Sequence, residues 1–135
     1  MKKKRTKKIG GVAEQVVRFP ARVLKPVGDF LKGNLKKLER RKKDLEKEDP
    51  FQDPSRVGDN ASPDTDAAEQ FGHARTSAIR SQIDRKIIQT KKALARVRVG
   101  KYGVCEDCGK MIDTDRLMVY PEATLCAEDA AKREK

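Results

Sequence analysis

Apolar residues recur along the first half of the chain at alternating steps of three and four. They run through Leu24, Val27, Leu31, Leu35, Leu38 and Leu45, with Lys42 standing at one seam position, and almost everything between them is charged, as in Lys36-Lys37 and Arg40-Arg41. That period puts one narrow apolar stripe on an α-helix whose other faces are solvated. The helix is predicted to end near Glu48, because Asp49-Pro50 disfavours the helical conformation before the proline. Residues 49–61 are rich in Pro, Gly, Asp and Asn, which marks a turn region. Ser62-Pro63 then supplies a helix cap and a first-turn proline. A second seam follows through Ile79, Ile83, Ile87, Thr90, Leu94 and Val97, and Gly100 closes it at about Val99. Two seams of similar length joined by a loop predict an antiparallel coiled-coil hairpin over residues 26–99, with its tip at about 49–66. A helix of about 35 residues would be roughly 50 Å long.

The flanks read differently. Residues 1–11 form a Lys-rich arm expected to be disordered. Residues 12–25 read as a short amphipathic helix or two half-helices, with Val16, Val17, Phe19, Val23 and Leu24 apolar and Pro20 interrupting them. They could fold back on the C-terminal part or extend the base of the hairpin. Pro26 suits the first turn of the helix that follows. Residues 100–135 are short-period, Gly-punctuated and Cys-bearing. The fold class expected is therefore mainly α: an antiparallel helical hairpin, then a small knuckle module with a C-terminal helix.

Composition sharpens this picture. With 4% aromatic and 39% charged residues in 135, the chain lacks the apolar material of a compact enzyme core. The net charge of +11 is uneven: residues 1–48 carry a net +11, residues 49–72 a net −5 and residues 73–135 a net +5. A basic chain with an acidic island at its turn is more than a nonspecific polyanion binder. No stretch approaches the roughly 20 apolar residues of a membrane span, and the basic start lacks a signal-type apolar run, so a cytoplasmic protein is expected. No nucleophile–base set or phosphate-cradling loop is visible, so no enzymatic activity is expected.

The chemistry-bearing residues lie in the last quarter. Cys105 and Cys108 form a Cys-x2-Cys pair followed by Gly109, and Cys126 comes after 17 intervening residues. Two thiolates at this spacing can grip one tetrahedral ion, and the glycine permits the turn that aims backbone N–H groups at sulfur. An odd number of cysteines in a reducing compartment argues against a disulfide framework. Asp129 stands where a fourth ligand would complete the motif. Three arrangements stay open: a Cys3Asp zinc site, a three-thiolate site completed by water, and a metal-free folded knuckle. His73, the one histidine, falls on the second helix, too far along the chain to serve as a ligand.

The run Val99-Gly100-Lys101-Tyr102-Gly103-Val104-Cys105, then Cys108-Gly109, Ile112, Arg116-Leu117, Pro121-Glu122-Ala123-Thr124 and Leu125-Cys126, resembles the DksA/TraR zinc finger. The preceding hairpin resembles that family's coiled coil, so the likeness spans roughly residues 30–129. The family's fourth cysteine is Asp129 in this chain. The resemblance implies a zinc ion at Cys105, Cys108, Cys126 and Asp129. It also implies a bacterial transcription regulator that binds RNA polymerase core by passing its hairpin through the secondary channel, with acidic tip residues acting near the active centre. Here the tip would offer Asp64, Asp66 and Ala67, as Asp-x-Asp-Ala where the family has Asp-x-x-Asp-x-Ala. Asp64 and Asp66 would also favour the start of the second helix, by roughly 0.3–1 kcal/mol each. Phe51 and Phe71 are placed to pack across the tip.

The rival reading is a basic, nonspecific nucleic-acid binder of nucleoid type. Lys2, Lys3, Lys4, Arg5, Lys7 and Lys8 would then contact phosphates with salt-dependent affinity. No recognition helix or base-reading module is visible, so sequence-specific DNA binding is not expected. A monomer is expected, because an antiparallel hairpin buries its own seam.

Overall fold

A computed structural model describes residues 18–52 and 63–135 of the chain. The first helix, α1, runs Ala21–Glu48 and the second, α2, runs Pro63–Arg98. At 1.5 Å per residue they are about 42 Å and 54 Å long. A short 3-10 turn, Pro50–Gln52, follows α1. Two further helices lie beyond the hairpin, α3 at Thr114–Val119 and α4 at Ala127–Arg133. The fold is mainly α, and the described residues contain only one isolated antiparallel bridge, Val104 to Met111.

The two long helices pack antiparallel along the expected seams. Near the base, Leu24 and Leu31 of α1 pack with Ala93 and Leu94 of α2, and Tyr102 joins them. Toward the tip, Leu45 packs with Ile83 and Ile87. Leu31 has no exposed surface, which is worth about 1.5–3 kcal/mol for a fully buried leucine. Lys42, the charged member of the seam, reaches Asp84 with Nζ 2.6 Å from Oδ1, and one turn further Arg80 meets Glu46 at 2.9 Å. These pairs are part-exposed and contribute little stability individually. They fix register all the same, because a slip along the seam would face Lys42 with an apolar row.

Proline placement at the start of α1 differs from expectation. The helix begins at Ala21, and Pro26 lies inside it, so residues 21–25 belong to the hairpin and not to a separate segment. Pro20 is the boundary: it holds the extended N-cap conformation, and its carbonyl accepts from the N–H groups of Val23 and Leu24. Pro26 stands in the second turn and removes one intrahelical N–H there, while Leu24 and Val27 on either side of it still pack into the base cluster. Phe19 N–H donates to Gly100 O at 2.9 Å, which ties the chain entering α1 to the chain leaving α2. Gly100 is in the left-handed region at φ 75°, and a Cβ there would stand 3.0 Å from Phe19 O. That close approach requires glycine.

At the other end of the hairpin the expected Phe51–Phe71 pairing does not occur. Phe71 is 78% exposed, while Phe51 lies against the His73 ring with centroids 4.4 Å apart. His73 Nδ1 also sits 2.9 Å and 3.0 Å from the two carboxylate oxygens of Asp49. Two residues along a helix turn a side chain through about 200°, so Phe71 and His73 point to opposite sides of α2 and only one can face α1.

Candidate metal centre

The knuckle is a tight reversal built on backbone bonds. Cys105 N–H donates to Lys110 O at 2.8 Å, Ile112 N–H donates to Gly103 O at 2.7 Å, and Gly109 turns the chain at φ 69°. The returning stretch of chain arrives from α3, whose N-cap Asp113 accepts from Asp115 N–H. Glu106 N–H donates to Thr124 O at 3.0 Å and holds the Cys126 segment beside the first two cysteines. Cys126 is itself the N-cap of α4, so the first turn of that helix swings Asp129 back over the thiols.

One sulfur from each of Cys105, Cys108 and Cys126 and a carboxylate oxygen of Asp129 all lie within 4.8 Å of one another. Asp129 Oδ2 stands 3.2 Å from both the Cys105 and the Cys126 sulfur, and the Cys108 and Cys126 sulfurs are 3.8 Å apart. A tetrahedral zinc with bonds of about 2.3 Å to sulfur and 2.0–2.2 Å to oxygen has edges of about 3.8 Å between sulfurs and roughly 3.5 Å from sulfur to oxygen. The donor set and its spacing therefore fit zinc. The cysteines are free thiols, with Cys105 buried and Cys108 exposed.

Residues 100–135 match the prokaryotic dksA/traR C4-type zinc finger. The C-terminal module is a DksA/TraR-type zinc finger. Across the longer chain, the fold is similar to that of the transcription factor DksA2 from Pseudomonas aeruginosa, with a TM-score of 0.51 and 22% identity over 84% of this chain and 79% of that one. No curated protein sequence matches the chain.

In the DksA/TraR knuckle of this chain, the surroundings tune the donors. Burial works against the Cys105 thiolate. Backbone N–H groups of Cys108, Cys126 and Asp107 directed at its sulfur outweigh that and hold its pKa below the ordinary thiol value. The Lys110 N–H favours the Cys108 thiolate, but the Asp129 carboxylate, desolvation and the two neighbouring thiols prevail and push Cys108 up to about 12. The Asp129 carboxyl is held well below the carboxylate range, first by the Lys132 ammonium and then by the three thiols that donate to it. Four anionic donors crowded together oppose one another, and a divalent cation among them reverses that balance.

α2 braces this module from outside. Gln89 Nε2 donates to Glu122 O and to Thr124 Oγ1, both at 3.1 Å. Arg96 donates through an η nitrogen to Val104 O at 2.6 Å, and its other η nitrogen lies 3.6 Å from Glu106. Tyr102 OH donates to Pro121 O at 2.7 Å. From the far side, Arg133 Nε of α4 donates to Asp107 at 3.0 Å.

The other residues singled out in the sequence are dispersed. Asp64, Asp66 and Ala67 are exposed in the first two turns of α2, at the end of the hairpin opposite the knuckle. His73 belongs to the Asp49 pair, away from the cysteines. Lys2, Lys3, Lys4, Arg5, Lys7 and Lys8, the segment 12–17, and Ser62 of the turn lie outside the described residues. Sequence reasoning missed Gln89, Arg96 and Lys132. Of these only Lys132 carried a local signal, its i,i+3 spacing from Asp129 on a predicted helix. No described helix is long and apolar enough to cross a membrane.

Proposed function

We propose that the protein is a regulator of transcription that binds RNA polymerase core through its secondary channel. The hairpin enters the channel, Asp64 and Asp66 act near the active centre, and the knuckle anchors the base, without sequence-specific DNA binding or enzymatic activity. One observation carries the reading: a single continuous helix, α2, bears acids in its first turn and knuckle-bracing residues, Gln89 and Arg96, in its second half. A probe of this kind needs a narrow stem, a charged end and a rigid base. The DksA/TraR-type zinc finger supports the same reading. Zinc would be held by Cys105, Cys108, Cys126 and Asp129. Its chemistry there would be structural, closing the knuckle by joining residues distant in sequence.

The testing experiment combines binding and transcription. Purified protein should bind core polymerase in high salt and be displaced by another secondary-channel ligand. Asp64→Asn/Asp66→Asn should keep binding while losing promoter-dependent effects on transcription. Binding that disappears with salt and ignores the competitor would instead favour nonspecific polyanion contacts. Regulation unaltered by the double substitution would remove the tip mechanism.

A further inference from the structure

The two oxygens of Asp129 have different surroundings. Oδ2 faces the thiols, 3.2 Å from Cys105 and Cys126, while Oδ1 accepts from Lys132 Nζ at 2.9 Å. The carboxylate side chain is 9% exposed and the lysine 74%. An i,i+3 ion pair of this kind on an open helix surface would contribute little. Here the acceptor is buried and its other oxygen is committed to the cysteine cluster, so the lysine acts on a donor and not on a surface charge.

A carboxylate differs from the thiolate of a four-cysteine finger in having a second oxygen. Left free, that oxygen can swing toward the ion as a fifth donor or turn the whole group outward. A lysine bond to it selects one orientation, as outer partners of metal-binding carboxylates do. The ammonium also offsets one of the two negative charges left when three thiolates and a carboxylate surround a divalent ion. We infer that Lys132 is the positioning residue of the metal centre, holding Asp129 as a single-oxygen ligand through Oδ1. This rests on the Cys3Asp zinc reading above. Replacing a cysteine by aspartate in this finger thus comes with a partner three residues on that a thiolate would not need.

The test measures zinc affinity of the full chain by competition with a chromophoric chelator, with Co2+ absorption as a second readout. Lys132→Met should weaken zinc binding roughly 10–100-fold, the usual cost of losing an outer-shell partner. It should also lower the Co2+ d–d intensity as the carboxylate loosens, and Lys132→Arg should restore most of both. In an Asp129→Cys background, Lys132→Met should cost far less, since sulfur offers no second acceptor. Unchanged affinity and spectrum in Lys132→Met would overturn the inference. So would an equal loss in both backgrounds, which would make Lys132 a surface charge only. Wild-type protein that binds no zinc, or binds it as well after Cys105→Ser, would overturn the metal site itself and the inference with it.

Discussion

At the scale of single residues, Asp129 is where this finger departs from four cysteines. Oxygen is a harder donor than thiolate and suits zinc less tightly in a sulfur-rich site. Asp129→Cys is therefore expected to raise zinc affinity, and Asp129→Ala to lower it, both read by chelator competition. The other residue with a distinctive setting is Asp49. Its hydrogen bond with His73 is the main cause of a carboxyl pKa below the ordinary 3.8, helped by the Phe51 N–H. A carboxyl depressed in the folded state stabilises the protein above its unfolded pKa, and that contribution is lost as pH falls through the folded value. The stability difference between wild type and Asp49→Asn should shrink as pH falls below about 4, where the Asp49 carboxylate takes up its proton. Denaturant midpoints from about pH 5 down to about pH 2 would check it; a difference that persists unchanged at the acid end would contradict the pairing.

At the scale of elements, the helices answer to packing and propensity separately. Leu31→Ala removes a side chain with no exposed surface and should cost about 2–5 kcal/mol in unfolding free energy. Gly33, mid-helix in α1, has nothing within 4 Å of the place a Cβ would take. Gly33→Ala should thus stabilise the protein by about 0.5–1 kcal/mol, through propensity alone. Thermal or urea melts distinguish the two signs. Both long helices were legible in sequence because their seams repeat over many turns, and Glu48 and Gly100 carried clear stop signals. The start of α1 was less legible, since two prolines six residues apart are each compatible with a first turn and only the Phe19–Gly100 contact decides between them. α3 is six residues long, too short for any period to show, although Asp113 is a readable cap. The cysteine spacing gave away the metal site, but its braces were hidden. Gln89 and Arg96 look like ordinary polar positions on a helix until the fold carries residues 104–124 alongside them.

At the scale of the whole molecule, the hairpin and the knuckle draw on different sources of stability. The hairpin clusters consist of apolar side chains of α1 and α2, with Phe19 added from the chain entering α1 and Tyr102 and Leu117 as the knuckle's contribution. Beyond Tyr102, the knuckle buries only the small to mid-sized apolar side chains of Val104, Cys105, Ile112 and Ala123 and the polar side chains of Thr124 and Asp129. Chelating the metal should therefore disorder residues 100–135 while most helical signal survives, since the long helices hold most of the helical residues. Far-UV circular dichroism beside hydrogen exchange of the knuckle amides would show it. Loss of both together would mean that the hairpin depends on the finger for its own folding.

Because α2 is unbroken from Pro63 to Arg98, the molecule is also a ruler. Distance and bearing are set by residue count: each residue advances the tip by about 1.5 Å and rotates it by about 100° about the helix axis. Removing seven residues from α2 and the facing seven from α1 would draw the acids back by about 10 Å while turning them only some 20°. Removing one residue from α2 alone would barely change the reach, but it would swing the acids more than a quarter turn away from the direction in which the knuckle now points them.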